Sequence, residues 1–183
     1  MFNRPKFYEK IKPLLFNGKM SQSQVDGTNA ILDEYELNHK DMDIRWLAYM
    51  LATVYHECDK TMQPIEEYSK GKGKAYGIKG KYGQSQHGRG FVQLTWDSNY
   101  EKADKKLKLN GALLKNFDLA MKLPVATKIL FFGMTEGWFT TRKLIGYFSS
   151  KNEDPYNARR IINGTDKAKL IEGYYHKFLS ALT

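Results

Sequence analysis

The sequence predicts a mainly α-helical domain, because apolar residues recur at helical spacing towards both ends while glycines and basic residues crowd the middle. The chain has 183 residues, of which 42% are hydrophobic and 14% aromatic, and this is enough for one packed core. No internal repeat or low-complexity tract divides it. We therefore expect a single domain over residues 1–183.

Helix caps mark the first predicted elements. Ser21 followed three residues later by Gln24 has the pattern of a capping box. Asp43 precedes a second helix, whose apolar residues recur every three or four positions and must face a core. That stripe consists of Trp46, Leu47, Met50, Leu51, Val54 and Cys58.

Residues 66–90 break the helical pattern. Seven glycines lie there among six basic residues, which predicts a loop or a short hairpin. The next segment, Phe91 to Thr95, is rich in β-prone residues and is predicted as a short strand.

Helical signals then resume. Asn110 is the expected cap of a short helix, Pro124 marks the start of another, and Asp154-Pro155 repeats that start signal. Asp166 opens a last amphipathic helix that reaches the C-terminus.

The net charge and the number of cysteines limit the partners and the class of protein that we expect. The 29 Lys and Arg against 20 Asp and Glu leave a net charge of +9, which favours anionic partners such as nucleic acid, anionic lipid or bacterial envelope polymers. Cys58 is the single cysteine, so a disulfide scaffold is excluded. The N-terminal segment lacks the apolar centre of a signal peptide, and no apolar run is long enough to span a membrane. We expect synthesis in a cytoplasm without export by that route.

Glu57 is the first candidate for chemistry. It lies seven residues after Met50 and hence within about 20° of it on the helical wheel, so the carboxyl borders the apolar face. Partial desolvation there would raise its pKa, as a proton donor near neutral pH requires. Glu66 and Glu67 follow beyond Pro64, and two facing carboxyls are the arrangement of a glycosidase. The alternative is that Glu57 is an ordinary solvated helix-end residue.

The sequence gives less support to a metal site or a nucleophilic cysteine than to a pair of carboxyls. A helical zinc site would need a second histidine four residues after His56, and that position is Lys60. Cys58 falls on the apolar stripe with no activating base in the sequence around it, so it is expected to pack. We expect no metal and no cofactor, and His56 as a hydrogen-bonded structural residue.

A second group of polar residues follows the glycine pair of Gly88-Arg89-Gly90. It comprises Gln93, Thr95, Asn99 and Tyr100. Amide and hydroxyl groups of this kind bind sugar hydroxyls and acetamides and can position a water. The alternative is a polar turn that precedes a helix.

Three ordered blocks together resemble glycoside hydrolase family 19, the chitinase class, in its compact phage-endolysin form. LAYMLATVYHEC resembles the helix that ends in the family's His-Glu-[Thr/Ser], HGRGFVQLTWDSNY resembles its Gly-Arg-Gly block, and ARRIINGTD resembles its Ile-Ile-Asn-Gly segment. The resemblance covers a core of about residues 46–175. It implies an α+β, lysozyme-like fold with two helical lobes and a small loop and hairpin region beside the cleft.

The resemblance also implies roles. Glu57 would be the general acid, the second carboxylate the base that activates water, and Thr95 a residue that holds this water. Glu67 is the preferred base because a turn with Tyr68-Ser69 follows it, and Glu66 remains the alternative. The expected sugar-binding residues are His56, Glu66, Tyr76, Arg89, Gln93, Asn99, Tyr100 and Asn163. The sequence departs from plant chitinases in having one cysteine and in having Phe91 instead of a proline after Gly-Arg-Gly.

These inferences predict an endolysin, a lysozyme-type muramidase that hydrolyses β-1,4 bonds of peptidoglycan with inversion and lyses the host once its membrane is permeable. Residues 60–108 contain 11 Lys and Arg against five Asp and Glu, which favours anionic wall over neutral chitin. We expect a monomer that binds peptidoglycan strands and no nucleic acid. Its basic C-terminal helix, with Lys167, Lys169 and Lys177 opposite the apolar stripe, would contact anionic outer-membrane lipid; the alternative is that the stripe is ordinary core. The alternatives are a chitinase, a nucleic-acid-binding protein that uses residues 68–82, and an inactive wall-binding module.

Overall fold

The computed structural model describes residues 2–183, which form seven α-helices and two short antiparallel hairpins. The helices are α1 (Arg4–Leu15), α2 (Gln22–Asn38), α3 (Ile44–Glu57), α4 (Asp97–Leu107), α5 (Ala112–Lys115), α6 (Leu123–Glu136) and α7 (Ala168–Leu182). The strands are β1 (Ile65–Glu66), β2 (Arg89–Gly90), β3 (Phe148–Ser149) and β4 (Asn152–Glu153). Strand β1 pairs with β2, and β3 with β4. The mainly helical prediction is confirmed.

Helix α3 is the centre of the core. Its residues from Leu47 to Tyr55 are all buried, and it packs most extensively against α7. A helix that is apolar on so much of its circumference is stable only when other elements cover it. The packing of α3 therefore fixes the position of its last residue, Glu57. Within residues 2–183, no helix combines the length and apolarity that a bilayer crossing requires.

Helices α2, α3 and α6 begin where the capping residues of the sequence predict. The Ser21 hydroxyl accepts from the Gln24 amide at 3.2 Å, and the Gln24 side chain accepts from the Ser21 amide at 2.8 Å. Asp43 caps α3 by accepting from the Arg45 amide at 2.9 Å. Pro124 lies in the first turn of α6, where its missing N–H costs no hydrogen bond.

Three of the predicted starts need revision. Asn110 is not the cap of α5, because Gly111 occupies that position with a φ of 83°. Asp154-Pro155 precedes only a 3-10 turn, Asn157–Ile161, whose cap position is Tyr156, and the Asp154 carboxylate accepts from the Asn157 amide at 3.0 Å. Helix α7 begins at Ala168, two residues after Asp166.

The strand predicted over Phe91 to Thr95 is wrong. The chain reverses after β2, and the Leu94 amide donates to the Arg89 carbonyl at 2.8 Å. Gln93 within this turn has a φ of 54°, a left-handed conformation that no strand residue adopts. The β-prone side chains of Phe91 and Leu94 are instead buried in the core.

The glycine-rich segment is the hairpin that the sequence predicts, with a very short ladder. Ile65 pairs with Gly90 and Glu66 with Arg89, so these residues close the loop formed by residues 67–88. Gly77 must lack a side chain, because a Cβ there would lie 1.9 Å from the Gly71 carbonyl oxygen. The folded loop approaches the end of α3 and forms one wall of a cleft.

Candidate active site

A cleft of about 460 Å³ lies between the end of α3, the β1–β2 hairpin and the start of α4. Its wall contains seven of the predicted site residues: Glu57, Glu67, Tyr76, Gln93, Thr95, Asn99 and Asn163. Five further residues complete it, namely Gly88, Val92, Trp96, Phe139 and Ile162. Residues that are far apart in sequence thus form one polar, aromatic-lined groove, as saccharide binding requires.

Glu57 is held by a buried arginine. The Arg159 guanidinium donates through Nη1 to Glu57 Oε1, and its Nε donates to the Asp166 carbonyl at 3.1 Å. The side chains of Arg159 and Glu57 are only 5% and 15% exposed. Among residues 2–183 no group hydrogen-bonds to the second Glu57 oxygen, Oε2. Arg159 therefore fixes the orientation of a carboxyl that lines the cleft and has one oxygen available to a ligand.

Sequence reasoning missed Arg159. The residue lies in the ARRIINGTD block, of which only Asn163 was assigned a role. A buried Glu at a helix end needs a cationic or hydrogen-bonding partner, and this requirement alone would have directed attention to the basic residues of that block.

His56 is not part of the cleft wall, so its predicted sugar contact is not supported. The ring is half-buried beside Glu57. Burial lowers the pKa of His56 below its ordinary value, an effect that the charge of Glu57 opposes and that of Arg159 reinforces. The imidazole is therefore neutral at pH 7.

Glu67 is held by groups of its own loop. Its Oε1 accepts from the Ser69 hydroxyl at 2.6 Å and from the Tyr76 hydroxyl at 3.3 Å, and its Oε2 accepts from the Gly88 amide at 3.4 Å. Partial burial acts to raise the pKa of Glu67, but these hydrogen bonds outweigh it, so the pKa lies below its ordinary value. Glu67 is ionised at neutral pH, the state that a base requires.

Glu66 points away from the cleft, because adjacent residues of a strand alternate between its two faces. It lines a separate depression of about 450 Å³ that also contains Asn116 and Asp118. Glu66 pairs with Lys70 at 2.9 Å and with His87 at 2.6 Å. The geometry favours Glu67 as the partner of Glu57, because both line the same cleft, and the predicted sugar contact of Glu66 is not supported there.

Arg89 and Tyr100 are also outside the cleft wall. Arg89 is 6% exposed and donates to Asp118 at 2.9 Å and to the carbonyls of Ser85 and His87 at 3.0 and 3.1 Å. Tyr100 is fully buried, and its hydroxyl donates to the His87 carbonyl at 3.2 Å. Both side chains support the hairpin backbone, so their predicted role as sugar ligands is wrong.

Gln93, Thr95 and Asn99 are arranged by the turn after β2. The Gln93 Nε2 donates to the Ile65 carbonyl at 3.2 Å, the Thr95 hydroxyl donates to the Gln93 carbonyl at 2.7 Å, and Asn99 donates to the Thr95 carbonyl at 2.9 Å. Gly88 must remain a glycine, because a Cβ there would lie 2.7 Å from Gln93 Oε1. Because the Gln93 Nε2 and the Thr95 hydroxyl donate within the turn, their neighbouring oxygens are left to accept from a ligand in the cleft.

Aromatic residues of the wall escaped the sequence analysis, apart from Tyr76. Trp96 is 44% exposed, has a φ of 74° and meets the Tyr76 ring edge-on, with ring centroids 5.7 Å apart. Phe139 packs over Gly133 of α6, where a Cβ would lie 2.2 Å from the Phe139 ring. An exposed aromatic face in a cleft is a surface for the apolar face of a sugar ring.

Residues 2–183 contain no group of three or more His, Cys, Asp or Glu side chains placed to hold a metal ion. Cys58 is free and fully buried, and burial raises the pKa of its thiol, as expected for a packing residue. The chemistry that the described groups themselves offer is proton transfer between two carboxyls and a ligand in the cleft.

The structure is similar to that of chitinase C from Streptomyces griseus HUT6037. The TM-score is 0.58 at 21% sequence identity, and the match covers 97% of this chain and 73% of the chitinase chain. No protein-family model matches the sequence, and no curated protein does. The structural likeness confirms the predicted fold class, and the structural relative is a chitinase, the class that the three sequence blocks resemble.

Proposed function

We propose that this protein is a glycoside hydrolase that cleaves β-1,4 bonds in bacterial peptidoglycan, with the role of a phage-type endolysin and the specificity of a muramidase. One observation carries the proposal: Glu57 and Glu67 line the same cleft, and each is held by its own distinct hydrogen bonds. The structural relative is a chitinase, and this analogy of fold agrees with glycosidic chemistry, while the activity itself is inferred from the site residues.

The two carboxyls divide the reaction between them. Glu57 donates its proton to the glycosidic oxygen as the bond to the anomeric carbon breaks. Glu67, ionised because of its hydrogen bonds, accepts a proton from the water that attacks this carbon, and its charge stabilises the oxocarbenium-like transition state. Thr95 and Gln93 position the water. Two carboxyls about 6.5–9.5 Å apart leave room for that water and give inversion.

Surface charge supports an anionic wall as the substrate. Exposed lysines of α4, of its C-cap and of α6 border two adjoining depressions, and we call this set the lysine surface: Lys102, Lys105, Lys106, Lys108 and Lys128. Lys106 pairs with Glu136 at 2.5 Å, whereas the other four form no ion pair within residues 2–183. Helix α4 begins at the cleft with Asn99 and ends at this surface, so an anionic polymer can reach both. We include anionic outer-membrane lipid, reached through α7, among the proposed partners.

The proposed location follows from the substrate. The protein would be made in the cytoplasm of the host and would reach the wall when a separate pore permeabilises the membrane.

The decisive experiment is digestion of purified peptidoglycan, with mass spectrometry of the products. Muramic acid at the reducing ends is expected, released as the inverted anomer, and Glu57→Gln should lose at least about 10²- to 10⁴-fold of the rate. Glu9→Gln, at an exposed position of α1, is the matched control and should keep full activity. Glucosamine at the reducing ends would show that the enzyme is a glucosaminidase and not a muramidase. A Glu57→Gln variant that keeps its activity would overturn the mechanism.

Chitin is the second candidate substrate, because the structural relative is a chitinase. Hydrolysis of chitin oligosaccharides without release of peptidoglycan fragments would select it. In either case the roles of Glu57 and Glu67 would be the same.

The lysine surface gives a separate prediction about substrate retention. Reversing Lys102, Lys105 and Lys108 to Glu should weaken sedimentation with purified walls and flatten its salt dependence, because fewer counterions are exchanged. Binding is measured in the Glu57→Gln background so that the wall stays intact. The control reverses three exposed lysines elsewhere, Lys12, Lys19 and Lys151, and has the same net charge. Equal loss in both variants would mean that only net charge matters.

A further inference from the structure

His87 is the centre of a hydrogen-bonded chain beneath the cleft wall. Its Nε2 donates to Glu66 Oε1 at 2.6 Å, and its Nδ1 shares a hydrogen bond of 2.8 Å with the Ser85 hydroxyl. The Ser85 hydroxyl also donates to the Gly77 carbonyl at 2.9 Å. The His87 side chain is only 4% exposed. The chain thus connects β1, the segment before β2 and the 3-10 turn Ala75–Gly77 through one buried ring.

Each end of this chain adjoins Glu67 or one of its hydrogen-bond donors. Gly88, whose amide donates to Glu67 Oε2, follows His87 directly. Tyr76, whose hydroxyl donates to Glu67 Oε1, directly precedes Gly77. Glu66 directly precedes Glu67 itself. A shift of the His87 ring would therefore move the carboxylate and two of its three donors relative to one another.

We propose that His87 is a positioning residue for Glu67: by bridging Glu66 and Ser85 it holds the Gly88 amide and the Tyr76 hydroxyl on the Glu67 carboxylate. This inference rests on the proposed function, in which Glu67 is the base. Second-layer hydrogen bonds of this kind keep a reacting group in productive geometry.

Ser85, His87 and Glu66 also have the residue types of a Ser–His–Glu nucleophile relay. The structure does not favour that role, because the Ser85 hydroxyl donates to the Gly77 carbonyl and the imidazole is almost completely buried. Neither Ser85 nor His87 belongs to the cleft wall. The geometry favours a structural link over a nucleophile.

The charged groups that face this hydrogen-bonded chain come from several elements. Lys70 lies 2.9 Å from Glu66 Oε2, and Arg89 Nη2 lies 3.8 Å from Glu66 Oε1, with Asp118 pairing to Arg89 from the other side. Glu67 faces the Ser69 and Tyr76 hydroxyls on its own loop and shares the cleft with Glu57. The electrostatic influence of His87 also lowers the pKa of Glu67.

The test replaces His87 by leucine, which has similar bulk and no hydrogen-bonding group. We expect the pKa of Glu67, followed by ¹³C NMR of labelled carboxyls, to rise towards its ordinary value, and the acid limb of kcat/KM to move to higher pH. We expect kcat to fall about 10- to 100-fold with KM almost unchanged, because the base is misplaced while sugar contacts remain. His87→Gln keeps a donor near the Nε2 position, and His87→Asn keeps one near the Nδ1 position. Each variant should therefore retain part of the kcat and of the lowered Glu67 pKa that His87→Leu loses.

His176→Gln, at an exposed position of α7, is the matched control and should leave the Glu67 titration unchanged. A folded His87→Leu variant with wild-type Glu67 titration and kcat would overturn the proposal. If His87→Leu does not fold, Ser85→Ala removes one link at a less buried position and must shift the titration in the same direction. A shifted titration in a protein whose wild type cleaves no glycan would overturn the proposed function and leave the positioning intact.

Discussion

Glu57 and Glu67 line one cleft but are held in opposite ways. Glu57 ends the buried helix α3, and its partner Arg159 lies 102 residues further along the chain. Glu67 lies in a loop, and its hydrogen-bond partners Ser69, Tyr76 and Gly88 all belong to the same hairpin. One carboxyl is thus positioned by the packing of distant elements and the other by local hydrogen bonds.

This difference matches the two proposed roles, since a proton donor and a base need different surroundings. In the proposed function Glu57 is the proton donor, and because Arg159 binds Oε1, the proton that is donated is the one on Oε2, the oxygen open to the cleft. Glu67, the proposed base, must be ionised. Hydrogen bonds from the neutral Ser69, Tyr76 and Gly88 groups lower its pKa without an ion pair to a cation, which would weaken its ability to accept a proton. The comparison predicts that the two carboxyls respond differently to loss of their partners.

The largest expected effect separates the two adjacent glutamates. Glu67→Gln should lose about 10²- to 10⁴-fold of kcat, because the amide cannot accept a proton from water. Glu66→Gln, the same change one residue earlier at the end of β1, should lose about tenfold or less, an indirect effect of misplacing the neighbouring base. Hydrolysis rates of peptidoglycan by both variants measure this. Equal losses would mean that the choice of base is mistaken.

The next effect concerns the buried ion pair. Arg159→Leu should destabilise the fold by about 3–5 kcal/mol, because it leaves the buried Glu57 carboxyl without its hydrogen-bond and ion-pair partner. Urea unfolding measures this loss. Adding Glu57→Gln to Arg159→Leu replaces the unpartnered carboxyl by a neutral amide and should recover most of the stability, though not the activity. If the two losses simply add, the pair does not act as a unit.

The smallest effect is a shift in the pH dependence. Glu67 has a folded pKa below its ordinary value, so its hydrogen bonds stabilise the fold above the unfolded pKa, and that contribution is lost as pH falls through the folded pKa. Ser69→Ala removes the shortest of these bonds and should move the acid limb of kcat/KM to higher pH. Ser23→Ala, on α2, is the control. An unmoved limb would show that another group governs it.

Local chemistry made several elements predictable. The Ser21 and Gln24 capping box, the Asp43 cap and the Pro124 start depend on residues within one helical turn, so the sequence shows them directly. The prediction of a strand over Phe91 to Thr95 is wrong. Residues with high β propensity are also found where a tight turn buries their side chains, so propensity alone does not distinguish the turn from a strand. The placement of Glu57 and Glu67 in one cleft agrees with the sequence analysis, whereas their catalytic roles stay a prediction.

By itself the sequence determined the helical class, the caps, and the set of polar residues from which the cleft is built, because periodicity and short spacings are properties of the chain. Only the tertiary structure decided which of two adjacent glutamates enters the cleft, that Arg89 and Tyr100 support the hairpin from inside, and that Arg159 meets Glu57. Those outcomes depend on which strand face is covered and on contacts across about a hundred residues. Neither can be read from a linear pattern, because a shift of one residue in register exchanges the faces of a strand.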